Sequence, residues 1–174
     1  MSRITDAMDV YFERLTKTWQ EENETGPMTP WDEEYDQNLF VSGPDDEEYA
    51  EWKVAEAQIP VSFPEMNEEL REFFGSRRFW RMCGEVDGAE YTFPAIPTDM
   101  AAEKVARTAV KDGEYYLGQG YAVLAIVAVN GNDELLLLYN WKNGQMTILD
   151  TDRQVTYPVE YTLPELIERM EALI

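Results

Sequence analysis

The chain has 174 residues, 44% hydrophobic and 13% aromatic, which is enough apolar material for one well-formed core and too much for a disordered chain. Its formal net charge of -21 must then sit on the surface of a folded body, where it repels nucleic acid and anionic membrane and attracts basic proteins. A single cysteine, Cys83, excludes an internal disulfide, and the absence of histidine removes the commonest general base and metal ligand.

Ile4, Met8, Tyr11, Leu15 and Trp19 recur at steps of three and four residues, which predicts a helix with one apolar face that stops near residues 23–26, before Pro27. Residues 24–37, charged and carrying two prolines, read as a crossing loop. Leu39, Phe40 and Val41 form a short strand candidate closed by the turn signal Ser42-Gly43-Pro44. The segment DDEEYAEWKVAEAQI fits either a helical turn or a strand around residues 49–54. Pro64 then opens a predicted helix over 65–74, with Gly75 as its stop.

The second half is more regular. FWRMCGEV and AEYTF, joined by Asp87-Gly88, read as a β-hairpin. Residues 99–110 place Met100, Lys104, Val105 and Ala109 in a helical pattern that ends at Asp112-Gly113. YAVLAIVAV, ELLLLYNW and QMTILDT, separated by NGND and KNG, predict a three-stranded meander of well-covered strands. Thr162 and Glu165 supply a capping box, with Pro164 in the first turn, for a last helix through Ile174. Leu163, Leu166, Ile167, Met170 and Leu173 form its buried stripe. The order of elements predicts one α+β domain over residues 1–174, a mostly antiparallel sheet flanked by helices. The first residues lack a signal- or transit-peptide pattern, and no apolar run approaches the ~20 residues of a membrane helix. The expectation is a cytoplasmic protein without membrane insertion.

Catalytic chemistry is sparse. Without histidine no Ser-His-Asp or Cys-His arrangement and no usual zinc site can form, and there is no Walker loop. Gly118-Gln119-Gly120 precedes a strand, where a dinucleotide fingerprint does not belong. Two options need only carboxylates: a glycosidase pair, or a Mg²⁺ or Ca²⁺ site at Asn130, Asn132 and Asp133 or at Asp150 and Asp152. The 130–133 stretch reads better as a plain hairpin turn between two strong strands. Arg77, Arg78 and Arg81, the one compact basic group, are expected to pair with the protein's own acids, and Cys83 to be a small core residue. The expectation is a non-catalytic protein with no metal and no cofactor.

One segment stands apart. From residue 18 to residue 52 there are twelve acidic residues and no basic one, with large aromatic rings set among them. Within it, Trp31, Asp32, Glu33, Glu34, Tyr35 and Asp36, then Asp45, Asp46, Glu47, Glu48, Tyr49, Glu51 and Trp52, are the candidate partner-binding residues. Carboxylates there would steer a basic protein, and exposed rings would anchor it.

Several blocks together resemble the SUKH superfamily, Syd-like members included. They are Trp19-Gln20-Glu21-Glu22, Pro27, the strand closing at Ser42, and Tyr49 and Trp52 near Pro60. FFGSRRFWRMCGEVDG, VLAIVAVNGNDELLLLYNWKNGQM and TLPELIERMEAL complete them. The resemblance implies an α+β fold and a binding role, with no catalytic constellation. Many SUKH proteins are immunity proteins that neutralise toxins, often nucleases, exchanged between competing bacteria; Syd presents an acidic surface to the basic cytosolic loops of the SecY translocon. The resemblance thus implies an immunity protein blocking a basic toxin domain, with a Syd-like translocon role as the alternative. A DNA-mimic inhibitor and a carboxylate-only hydrolase are the remaining alternatives.

Overall fold

The computed structural model describes residues 3–22, 41–42, 67–79, 82–96 and 102–172. In chain order these form α1 (Arg3–Glu22), β1 (Val41–Ser42), α2 (Glu68–Ser76), β2 (Arg78–Phe79), β3 (Met82–Val86) and β4 (Ala89–Phe93). There follow α3 (Ala102–Leu117), β5 (Tyr121–Val129), β6 (Asn132–Asn140), β7 (Met146–Asp150), β8 (Val155–Val159), α4 (Leu163–Arg169) and β9 (Glu171–Ala172). A seven-stranded sheet runs in the order β8-β7-β6-β5-β4-β3-β9, antiparallel at every pairing, and β1 pairs with β2 in a small separate ribbon. The protein is α+β, with a mostly antiparallel sheet and helices packed against it.

Local chemistry explains the sharp turns. Asp87 and Gly88 have φ of 52° and 81°, and Asn130 and Gly131 have 51° and 82°. Two consecutive positive φ values are what a two-residue hairpin turn needs to match the strand twist, and Asp-Gly and Asn-Gly adopt them at least cost. Both hairpins expected from the sequence are therefore present, and the predicted meander is β5-β6-β7.

The core is one cluster. Ile4, Met8, Tyr11 and Leu15 of α1 join Leu70 and Phe73 of α2, Ala106 and Ala109 of α3, and Leu166 and Ile167 of α4. From the sheet they meet Tyr91, Phe93, Val127, Leu135, Leu137 and Tyr139, which alternation places on one face. Each fully buried large side chain contributes roughly 1.5–3 kcal/mol. A register shift between Val123 and Ala125 turns the consecutive residues Leu124 and Ala125 both inward. Leu138 is as buried as Leu137, so β6 is covered on both faces there, which is why ELLLLY does not alternate.

Several boundaries differ from the sequence reading. The helix placed at 65–74 is Glu68–Ser76 among the described residues, because Asn67 caps it by accepting the Leu70 N–H at 3.0 Å; Gly75 lies inside it. The helix expected to end at Asp112-Gly113 continues to Leu117. Gly113 is there for space: a Cβ on it would lie 2.1 Å from the carbonyl oxygen of Tyr121. The true stop is Gly118, at φ 105°, whose N–H closes onto the Glu114 carbonyl at 3.0 Å. The last helix ends at Arg169 instead of running to Ile174, since Glu171–Ala172 adds to the sheet beside β3. Its Thr162 cap and buried residues Leu163, Leu166, Ile167 and Met170 are as expected; Leu173 and Ile174 lie outside the described residues. β8 was not foreseen, because Pro158 interrupts its pattern; as an edge strand it tolerates a residue without an N–H.

Candidate partner-binding surface

The residues singled out from Trp31 to Asp36 and from Asp45 to Trp52 lie outside the described residues. The surface features that the described residues do bring together centre on the β9 edge of the sheet.

Pairing sets Glu85 of β3 opposite Glu90 of β4 and opposite Glu171 of β9. Directly opposed residues share a face, so three carboxylates stand in line across three neighbouring strands, spaced by the ~4.8 Å strand separation. All three are exposed, and among the described residues no hydrogen bond or ion pair reaches them. Opposed like charges are destabilising, so packing alone gives no reason for this row. What it can do is present a line of negative charge to a cationic surface.

Around this edge lies a cleft of about 720 Å³, bounded by Arg14, Glu85, Asp87, Glu168, Arg169 and Glu171 among others. Its cations are already engaged. Arg14 donates to the Glu168 carbonyl, one of the last carbonyls of α4. The Arg169 guanidinium sits 4.6 Å from the centre of the Tyr161 ring, and the Tyr161 hydroxyl donates to Asp87 Oδ2 at 2.6 Å. That hydrogen bond is the main reason the Tyr161 phenol titrates above its usual value near 10. The Tyr91 phenol is also raised, chiefly by burial and secondarily by the Asp87 charge.

The edge is held by an unusual contact. Among the described residues, β9 pairs with Gly84 and Glu85 of β3. At Cys83, one residue before, the Tyr11 hydroxyl of α1 takes the place of a strand: it donates to the Cys83 carbonyl at 2.6 Å and accepts the Cys83 N–H at 2.9 Å. Cys83 itself is buried, with its sulfur 3.2 Å from Thr92 Oγ1, which makes it the small core residue expected. Gly84 allows the close approach of α4, for a Cβ there would meet Met170 Cβ at 2.7 Å.

The oxygen-rich turns are occupied by their own backbone. Asp150 is buried, and its Oδ1 accepts the N–H groups of Asp152 at 3.1 Å and Arg153 at 3.0 Å; Asn132 Oδ1 accepts the Glu134 N–H at 3.1 Å. Among the described residues no group of three or more Cys, Asp or Glu side chains is arranged to hold a metal ion. Arg77 forms a two-pronged pair with Asp9, at 2.8 and 2.9 Å, as expected of the basic group; the Arg78 side chain and Arg81 lie outside the described residues. A second polar network ties α2 to β6: Asn67 donates to the Tyr139 hydroxyl at 2.8 Å, which donates to Glu69 at 2.7 Å. Burial first, and this bond to Glu69 second, push the Tyr139 phenol far up.

Sequence reasoning missed the Glu85–Glu90–Glu171 row because it depends on β9, which was read as helix. A signal was present: Asp87-Gly88 fixes the β3/β4 register, so the opposition of Glu85 and Glu90 follows from the turn alone. No helix among the described residues is long and apolar enough to cross a membrane. No protein-family model matches this chain, and no curated protein matches it in sequence at a significant level.

Proposed function

We propose that this is a non-catalytic acidic binding protein whose partner is a basic protein, and specifically an immunity protein of the SUKH type that neutralises a cognate toxin in the cytoplasm. The observation that carries the reading is the distribution of charge: twelve acids without a base between residues 18 and 52. The row of Glu85, Glu90 and Glu171, which has no ion pair among the described residues, supports it independently from the folded sheet. Exposed carboxylates of this kind raise association rates with cationic proteins and suppress wrong partners. A basic toxin domain, such as a nuclease that must itself attract phosphate, offers the complementary field.

The test begins with affinity capture on the tagged protein from its source cells, followed by co-expression with the captured partner. Relief of that partner's toxicity supports immunity. Capture of the SecY translocon instead supports the Syd-like alternative, and turnover of a glycoside or phosphoester by the purified protein would overturn the binding role.

A further inference from the structure

We propose that Tyr115 and Tyr116, at the C-terminal end of α3, form a docking point for an arginine side chain of a basic protein partner. Tyr115 is 83% exposed and Tyr116 40%, and the two rings meet edge to face with centroids 5.0 Å apart. α3 packs inward through Ala106, Ala109 and Gly113, and neither ring belongs to the core cluster. Two large rings at the end of a 16-residue helix, one of them almost wholly in water, resemble the aromatic anchors that dominate interfaces.

Three features at this helix end favour a cation. The macrodipole places roughly half a negative charge at the C-terminus. No basic residue occupies the last turn, where one would ordinarily offset that charge. Asp112 and Glu114 are exposed beside the rings, with Lys111 one turn back as the local counterweight. Among the described residues, two cations stack on other rings: Lys142 lies 5.9 Å from the Trp141 ring centre and Arg169 lies 4.6 Å from that of Tyr161. Tyr115 is the most exposed large hydrophobic side chain among the described residues, with Tyr116 partly covered beside it. Arginine fits better than lysine because its planar guanidinium can lie on a ring and still fork toward a carboxylate. A second copy of this chain is a poor occupant, since two bodies of charge -21 repel.

The inference rests on the proposed function only for the class of partner, and it concerns other residues than 31–52 and the Glu85–Glu90–Glu171 row. It is tested with tetra-arginine and tetra-lysine peptides added to the intact protein at low and physiological salt. Binding is followed by NMR of ring-labelled tyrosines, in the wild type, Tyr115→Ala/Tyr116→Ala, and the control Tyr157→Ala on β8. The expected result is that the resonances of Tyr115 and Tyr116 move with tetra-arginine more than with tetra-lysine. The double variant should lose about two- to fivefold in tetra-arginine affinity per ring, and the control nothing. Peptide binding with both resonances unmoved would overturn the docking point while leaving the acidic-binder reading intact. Failure of both peptides to bind at low salt would count against both.

Discussion

Replacing Tyr11 by Phe removes one oxygen and leaves the ring, with its edge-to-face contact to Phe12 at 5.1 Å, in place. That oxygen carries two hydrogen bonds to the backbone of Cys83, and both Tyr11 and Cys83 are 0% exposed. Neither the Cys83 N–H nor its carbonyl can then turn to water, and among the described residues of β9 none lies opposite Cys83 to replace the hydroxyl. An unsatisfied buried polar group costs about 1–3 kcal/mol, so two of them should cost about 2–6 kcal/mol. With a urea slope of about 2 kcal/mol per molar, the unfolding midpoint should fall by about 1–3 M at unchanged slope. Amide exchange at Cys83 should also quicken more than at Tyr91, which lies across the pairing from Gly84. A midpoint shift below about 0.2 M would refute the claim that the hydroxyl stands in for a strand.

Gly113→Ala should destabilise by about 1–3 kcal/mol, at the upper end, because the added carbon meets backbone at Tyr121 and not a movable side chain; thermal unfolding checks this. Glu90→Lys should raise stability by about 0.2–1 kcal/mol, by replacing repulsion with attraction opposite Glu85, yet slow association with a basic partner; stopped-flow rates that rise would contradict the role given to the row. Thr162→Ala removes the cap that accepts the Glu165 N–H at 3.3 Å and should cost about 1 kcal/mol by chemical denaturation. Tyr91, Tyr139 and Tyr161 all titrate above 10 when folded, so their contribution is complete below the unfolded value near 10 and is lost as pH rises through the folded values. The unfolding midpoint should therefore fall with alkaline pH beyond 10, and Tyr139→Phe should flatten that decline.

Where local chemistry decides structure, the sequence was a sufficient guide. Asp87-Gly88 and Asn130-Gly131 fixed two hairpins, and Thr162, Pro164 and Glu165 fixed the start of α4. Errors fell where tertiary contacts override local signals. Gly113 reads as a helix stop, but its role is to let α3 lie against β5, a contact between residues that only the packed sheet brings together. Glu171-Ala172 continues a helical apolar pattern and becomes a strand because β3 has a free edge. Pro158 argues against a strand in isolation and is harmless at an outer position. The carboxylate row shares this limit, for no pattern along the chain announces that Glu171 will lie beside Glu85. The acid-rich segment was legible as composition, and its candidate residues lie outside the described ones.

The sheet order also has a consequence for biosynthesis. α1 and α4 both contribute to the one core cluster, and β9 completes the edge that Tyr11 begins. About 140 residues separate the end of α1 from the start of α4, a gap that translation at roughly 5–20 residues per second needs on the order of ten seconds to fill. Throughout that interval the apolar stripe of Ile4, Met8, Tyr11 and Leu15 lacks its partners on α4, and the outer edge of β3 lacks β9. A nascent chain of this design offers chaperones a long window at its first helix, and ribosome-arrested chains lacking residues 163–172 should expose that helix to protease.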